Sequence, residues 1–244
     1  MRILISILFA FCFHAQSAVA QTEIKSVLIL GDSYLKGHFG EFLQKKFHEE
    51  GKYDVLSIAI GGAGSRTFSR TMRNQCCGYR VRKICAGEAL KDSTKKWGAV
   101  VPVVESSERV TGEIVMKEFG GDLRSVINDW KPDAIILVLG ANYLNAHDEL
   151  LKIIYSYNEN IPLIWVGPFD KKASSGRYAL IKNVLKNKSN CILVKSDSIL
   201  NKLGIEDSHF YGKTAMKVVN TLFSAIEPFL NKSLHIEKTA SVPH

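Results

Sequence analysis

Five apolar runs, at residues 26–30, 53–60, 133–139, 161–166 and 191–194, are each closed by a glycine or a polar turn. Runs this short and this apolar suit strands buried on both faces of a parallel sheet, where hydrophobic–polar alternation disappears. Residues 34–50, 123–130, 149–157, 177–186 and 211–230 instead carry apolar positions at helical spacing; in the first of them Phe39, Phe42, Leu43 and Phe47 share one face, and Gly51 follows its end. Strands alternating with helices predict an α/β domain: a parallel five-stranded sheet with right-handed crossovers and helices on both faces. The alternation breaks at 68–117, which holds Cys76, Cys77 and Cys85 and two short strand-like runs, 99–104 and 113–116, with a turn near Thr111-Gly112. This stretch is expected to be an insertion after the second strand, outside the sheet, placed where loops commonly build substrate contacts. The polar tail, 231–244, is expected to fray.

The chemistry concentrates where the strands stop. Ser33 follows Gly31-Asp32 at the end of the first run, Gly61-Gly62-Ala63-Gly64-Ser65-Arg66 follows the second, Gly140-Ala141-Asn142 the third, and His209 stands in the polar turn before the last helix. A parallel sheet gathers its carboxyl ends at one edge, beside helix amino ends whose N–H groups are free. A serine hydroxyl is hardly ionised at neutral pH and becomes a nucleophile when an imidazole, itself oriented by a carboxylate, lies within reach. The oxyanion formed on attack needs donors already in place, which the N–H groups of Ser33 and Gly64 and the Asn142 amide can supply. Each residue also has a plainer use: Ser33 as the cap of its helix, Asn142 in a side-chain turn, His209 on the surface. Their order on successive strand ends favours the catalytic reading. The glycine loop lacks the lysine–serine ending of a phosphate cradle, which weakens a nucleotide-binding alternative. Asp32 reads as structural, holding its turn or Asn142. The histidines at 38, 48, 147, 235 and 244 show no ligand spacing and read as surface residues, so no metal is expected.

Gly31-Asp32-Ser33, the glycine loop, Gly140-x-Asn142 and an acid-containing turn with His209, in this order, resemble the SGNH (GDSL-type) hydrolase superfamily. The resemblance covers nearly all of 21–230, with 68–117 as the insertion. It implies a three-layer flavodoxin-like fold and a serine ester hydrolase that works through an acyl-enzyme without metal or organic cofactor. Carried over position by position, it implies Ser33 as nucleophile and first oxyanion donor, Gly64 as second donor, Asn142 as third and His209 as general base. Gly61 and Gly62 are substitutes for Gly64, because the loop register is open. The family's Asp-x-x-His pattern places its acid at Glu206, whereas Asp207 stands two residues before His209; both remain candidates.

Composition adds a compartment and a class of partner. Arg2, the apolar stretch 3–13 and Ala18-Val19-Ala20 make residues 1–20 read as a secretory signal peptide, with His14 and Gln16 cutting the apolar span below the ~20 residues of a membrane helix. The protein is therefore expected to be exported, periplasmic or secreted. Lys and Arg number 32 against 24 Asp and Glu, a formal charge of +8 that becomes +7 once Arg2 is removed. A spread basic excess draws an exported protein toward anionic cell-wall polymers or lipid head groups, and no motif supports nucleic acid. Cys76, Cys77, Cys85 and Cys191 are expected to form disulfides, most simply one from Cys85 to Cys76 or Cys77 that ties the insertion. The expected substrate is an O-acetyl or other short acyl group on a cell-wall or exported polysaccharide. The alternatives are lysophospholipid or thioester cleavage, and a catalytically lapsed protein that only binds glycan.

Overall fold

The computed structural model describes residues 23–74, 77–90, 101–107, 112–114, 116–117, 120–142, 145–169, 174–206 and 209–235; the expected signal peptide lies outside them. In chain order the elements are β1 (Lys25–Gly31), α1 (Ser33–Lys36), α2 (His38–Glu49), β2 (Tyr53–Ile60), α3 (Ser65–Phe68), β3 (Arg73–Asn74), β4 (Tyr79–Ile84), β5 (Val103–Ser107) and β6 (Gly112–Glu113). They continue with α4 (Leu123–Trp130), β7 (Ala134–Val138), α5 (His147–Tyr157), β8 (Leu163–Val166), α6 (Ser174–Leu185), β9 (Cys191–Val194), α7 (Ser196–Leu203) and α8 (Gly212–Ser233).

The expected parallel strands pair in the order β2-β1-β7-β8-β9. Gly31 lies opposite both Ala59 and Val138, so β1, β2 and β7 end level with one another and their following loops share one edge. The side chains of these strands fill two separate cores. One, built from Val27, Ile29, Val55 and Ile136, packs against α2, α7 and α8. The other, built from Leu28, Leu30, Ile58, Leu137 and Trp165, packs against α4, α5 and α6. Burial on both faces is what removes alternation from these strands.

The sheet has seven strands rather than five, which corrects the expectation for 68–117. β4 pairs antiparallel with β2, and β5 antiparallel with β4, giving the order β5-β4-β2-β1-β7-β8-β9. The stretch also supplies β3 and β6, which form a two-stranded ribbon. β4 (Tyr-Arg-Val-Arg-Lys-Ile) is too basic to read as a core strand, yet Arg82 within it is fully buried. Its guanidinium donates to the carbonyls of Leu35 at 3.1 Å and Lys36 at 2.7 Å, the open carboxyl end of α1. A cation suits that end of a helix, and these bonds replace water around the charge. Burial, reinforced by Arg80, lowers the Arg82 pKa to about 10. Gln44 of α2 completes the buried polar bridge, donating to the Val55 and Arg82 carbonyls and accepting from the Ser57 hydroxyl at 2.9 Å. The insertion thus holds α1 from beneath.

The expected pairing of Cys85 is corrected as well, although Cys77 is itself disulfide-bonded. Cys85 and Cys191 are free thiols, so Cys85 bridges neither Cys76 nor Cys77; Cys76 itself lies outside the described residues. What ties β4 to the body of the protein is the sheet ladder and the Arg82 and Gln44 bonds.

Three helix boundaries also differ from expectation. The helix expected over 34–50 breaks at Gly37, whose extended backbone separates α1 from α2. α7, a two-turn helix, was hidden by its shortness; Ser196 at its start is buried and donates to the Pro168 carbonyl at 2.6 Å. α8 runs on to Ser233, which donates to Asn190, and Leu234 is buried behind it, so the tail begins later than expected. Among the described residues no helix is long and apolar enough to cross a membrane.

Candidate active site

Ser33 owes its position to the two residues before it. Gly31 ends β1 where a Cβ would come within 2.7 Å of the Leu35 side chain, so only glycine lets the chain turn this closely into α1. Asp32, not Ser33, caps that helix: its carboxylate accepts from the Tyr34 N–H at 3.0 Å, while its own N–H donates to the Val138 carbonyl. Ser33 therefore stands at the first helical position with its hydroxyl released from capping. That hydroxyl meets Nε2 of His209 at 2.9 Å, across 176 residues of sequence.

The imidazole is placed by aromatic side chains. The Tyr34 ring stacks on it at 4.8 Å and 12°, and the Tyr34 hydroxyl donates to the Phe169 carbonyl. Phe210, next to His209, is buried against Tyr34, Phe39 and Phe169, which anchors the segment carrying the histidine. Glu206 is exposed and makes no hydrogen bond with His209; Asp207 lies outside the described residues.

The other expected residues lie on the two neighbouring strand ends. Gly140, at φ +124°, is in backbone space that side chains disfavour and turns the chain out of β7 toward Asn142. The Asn142 amide donates to the Ala63 carbonyl at 2.8 Å and, more weakly, to the second Asp32 oxygen at 3.4 Å. Ala63 precedes Gly64, so Asn142 joins the glycine loop to the turn that carries Ser33. The Gly64 N–H is turned onto the Thr67 hydroxyl at 3.2 Å, closing the short helix α3. Gly61 instead donates its N–H to the Gly78 carbonyl, and a Cβ there would meet Cys77 at 2.6 Å. Gly62 is half-buried at φ +75°.

No family model matches the chain, and no curated protein matches it in sequence. Its fold is similar to that of a solved catalytic domain. The C-terminal catalytic domain of Streptococcus pneumoniae peptidoglycan O-acetyltransferase A, solved with a methylsulfonyl adduct, aligns with TM-score 0.50 and 11% identity over 88% of this chain and 97% of that one. An acetyl esterase mutant solved with an acetate ion aligns with TM-score 0.45 and 9% identity over 86% of this chain and 99% of that one. At these identities the likeness is one of fold.

Several supporting residues were not foreseen. Arg177 of α6 donates to the carbonyls of Gly140 at 3.3 Å and Ala141 at 2.6 Å, clamping the turn that presents Asn142. His147, expected on the surface, is buried: its Nδ1 meets the Ser65 hydroxyl at 2.8 Å and its ring stands edge-on to Trp165, and burial lowers its pKa. Ser65 also accepts from the Ala146 N–H, so this pair fastens the glycine loop to the start of α5. His38 is half-buried and accepts from the Gly212 N–H. Among the described residues no three His, Cys, Asp or Glu side chains converge as a metal site would require.

Burial pushes the Asp32 carboxyl up to about 7, against the lowering effect of the Tyr34 N–H and its own N–H. Between about pH 4 and pH 7 the folded chain therefore keeps a proton that the unfolded chain has lost, and stability falls as pH rises through that window, by about 4 kcal/mol in the limit. Asp32→Asn cannot ionise and is expected to flatten this fall. Urea unfolding of both proteins at pH 4 and pH 8 checks it, with parallel pH dependences as the contrary result.

Proposed function

We propose that the chain is an exported serine esterase of the SGNH (GDSL-type) class that removes acetyl or other short acyl groups from a cell-wall or exported polysaccharide. The observation that carries the proposal is the 2.9 Å contact between the Ser33 hydroxyl and Nε2 of His209 at the shared edge of β1, β2 and β7. A hydroxyl and an imidazole at this distance are within proton-transfer reach.

In this reading His209 takes the Ser33 proton as Oγ attacks the ester carbonyl, and the tetrahedral oxyanion is held by the Ser33 N–H, the Gly64 N–H and the Asn142 amide. The Ser33 N–H, at the first position of α1, has no intrahelical acceptor and is ready for this use. Gly64 and Asn142 must exchange their resting acceptors, Thr67 and Asp32, for the substrate oxygen. His209 then returns the proton to the leaving sugar hydroxyl, and the acyl group stays on Ser33. A water deprotonated by His209 releases the acid and restores the hydroxyl. Transfer to a second sugar hydroxyl in place of water needs no other group, so hydrolase and transferase differ here only in the acceptor. Of the two candidate acids, Glu206 makes no hydrogen bond with His209, which leaves Asp207 as the proposed group that orients the ring.

One further fact favours acetyl on a glycan over a long-chain lipid ester: the fold neighbour with TM-score 0.50 is an O-acetyltransferase of peptidoglycan. The basic excess of the chain suits an anionic polymer and a lipid head group alike. The fold also accommodates a lapsed enzyme that only binds glycan, and the two separate on reactivity. A biotinylated alkyl fluorophosphonate is expected to form an adduct on the peptide containing Ser33, and His209→Ala is expected to suppress it. An unlabelled Ser33 in the folded wild-type protein overturns the esterase.

A further inference from the structure

We infer that Tyr211 is the stacking platform for the pyranose ring that bears the ester, so that a sugar rather than an alkyl alcohol lies along the start of α8. This rests on the esterase reading above and names the alcohol side of its substrate. Single exposed aromatic side chains are ordinary; Tyr211 differs in how it is held and where. It is 66% exposed, more than any other large hydrophobic side chain among the described residues. The ring is nevertheless fixed: His38 stands edge-on to it at 5.6 Å, and Nδ1 of the same imidazole accepts from the N–H of Gly212, the next residue. His38 is backed in turn by the buried ring of Phe42. One side chain thus pins both the Tyr211 ring and the backbone beside it, which lowers the entropy lost when a ligand settles there.

Along 209–211 the chain alternates, with His209 exposed, Phe210 buried and Tyr211 exposed, and the backbone at Tyr211 is extended. In extended chain, residues two apart lie on one side at a spacing of roughly 7 Å. That spacing is close to the width of one sugar residue. A ring seated on Tyr211 therefore brings an ester on its own hydroxyl to the Ser33–His209 pair. An aromatic face open to water, whose hydroxyl has no bonded partner among the described residues, suits a ligand with one C–H face and many hydroxyls. An alkyl chain instead needs walls that enclose it.

The test compares kcat/KM for methyl 6-O-acetyl-glucopyranoside, ethyl acetate and octyl acetate, the simple alkyl esters serving because they carry no ring to stack. Tyr211→Ala is expected to lower the ratio of sugar acetate to ethyl acetate about tenfold, through KM for the sugar ester, as loss of a contact made equally before and during reaction requires. Tyr211→Trp is expected to keep or raise the ratio. An unchanged ratio in Tyr211→Ala overturns the platform, and a loss confined to octyl acetate overturns it in favour of an alkyl-binding role. Either result leaves the esterase standing. Failure of the wild-type protein to cleave any of the three esters or to take up fluorophosphonate removes both.

Discussion

Ser33→Ala is expected to lower turnover of a short-chain ester by about a thousandfold or more, because among the described residues no other hydroxyl shares the His209 contact. The same change is expected to cost little stability. Asp32 caps α1, so the Ser33 side chain carries no capping bond, and its recorded hydrogen bond goes to an exposed imidazole. Hydrolysis of p-nitrophenyl acetate by purified wild-type and variant, with urea unfolding of each, measures both halves. On the proposed mechanism His209→Ala should fall to a similar level, and the double variant should be no slower than either single one, since a nucleophile and the base that activates it act as a unit. Equal rates for wild type and Ser33→Ala would sink the enzyme; a large stability loss in the variant would instead mean that Ser33 supports the turn.

The parallel part of the fold could be read from the chain because β1, β2, β7 and β8 are buried on both faces and the edge strand β9 is half-buried on both, and such strands are nearly uninterrupted apolar runs. β4 could not. Its Arg80, Arg82 and Lys83 look like solvent-facing charge, and Arg82 is tolerated inside only because the carboxyl end of α1 lies against it. That partner is 47 residues away and cannot be seen in local pattern. α7 is similar in kind: two helical turns carry too few periodic positions to stand out.

The candidate site divides in the same way. Ser33, Asn142 and His209 were legible because each follows a strand end or precedes a helix, and the topology of a parallel sheet supplies the rest. Their support was not. Tyr34 and Phe210 adjoin Ser33 and His209 in sequence, and aromatic neighbours of two proposed catalytic residues were the one available hint of the stack that fixes the imidazole. Arg177 and the Ser65–His147 pair act between loops, so nothing in their own surroundings announces them. His147 was misread as a surface residue because a histidine at a helix start usually is one; here Ser65 and Trp165 enclose it.

Asn142→Ala is expected to lower kcat by about a hundredfold to a thousandfold with KM little changed, the loss of one oxyanion donor costing about 3–4 kcal/mol of barrier. The Asn142 amide nitrogen has two acceptors at rest, and the two bonds are unequal. The 2.8 Å bond to the Ala63 carbonyl sets the side chain, whereas the 3.4 Å contact with Asp32 is the one an arriving ester oxygen can displace. Displacement is easiest when Asp32 is protonated, since a neutral carboxyl competes less for the amide and places no negative charge beside the oxyanion. With the Asp32 carboxyl near 7, that state is well populated in mild acid and lost in base. The penalty for Asn142→Ala should therefore be larger at pH 6 than at pH 9, where ionised Asp32 already holds the amide back in the wild type. Steady-state kinetics of both proteins on ethyl acetate at the two pH values measure the difference. A penalty that sits in KM, or one that grows with pH, would assign Asn142 to holding the glycine loop rather than to stabilising the oxyanion.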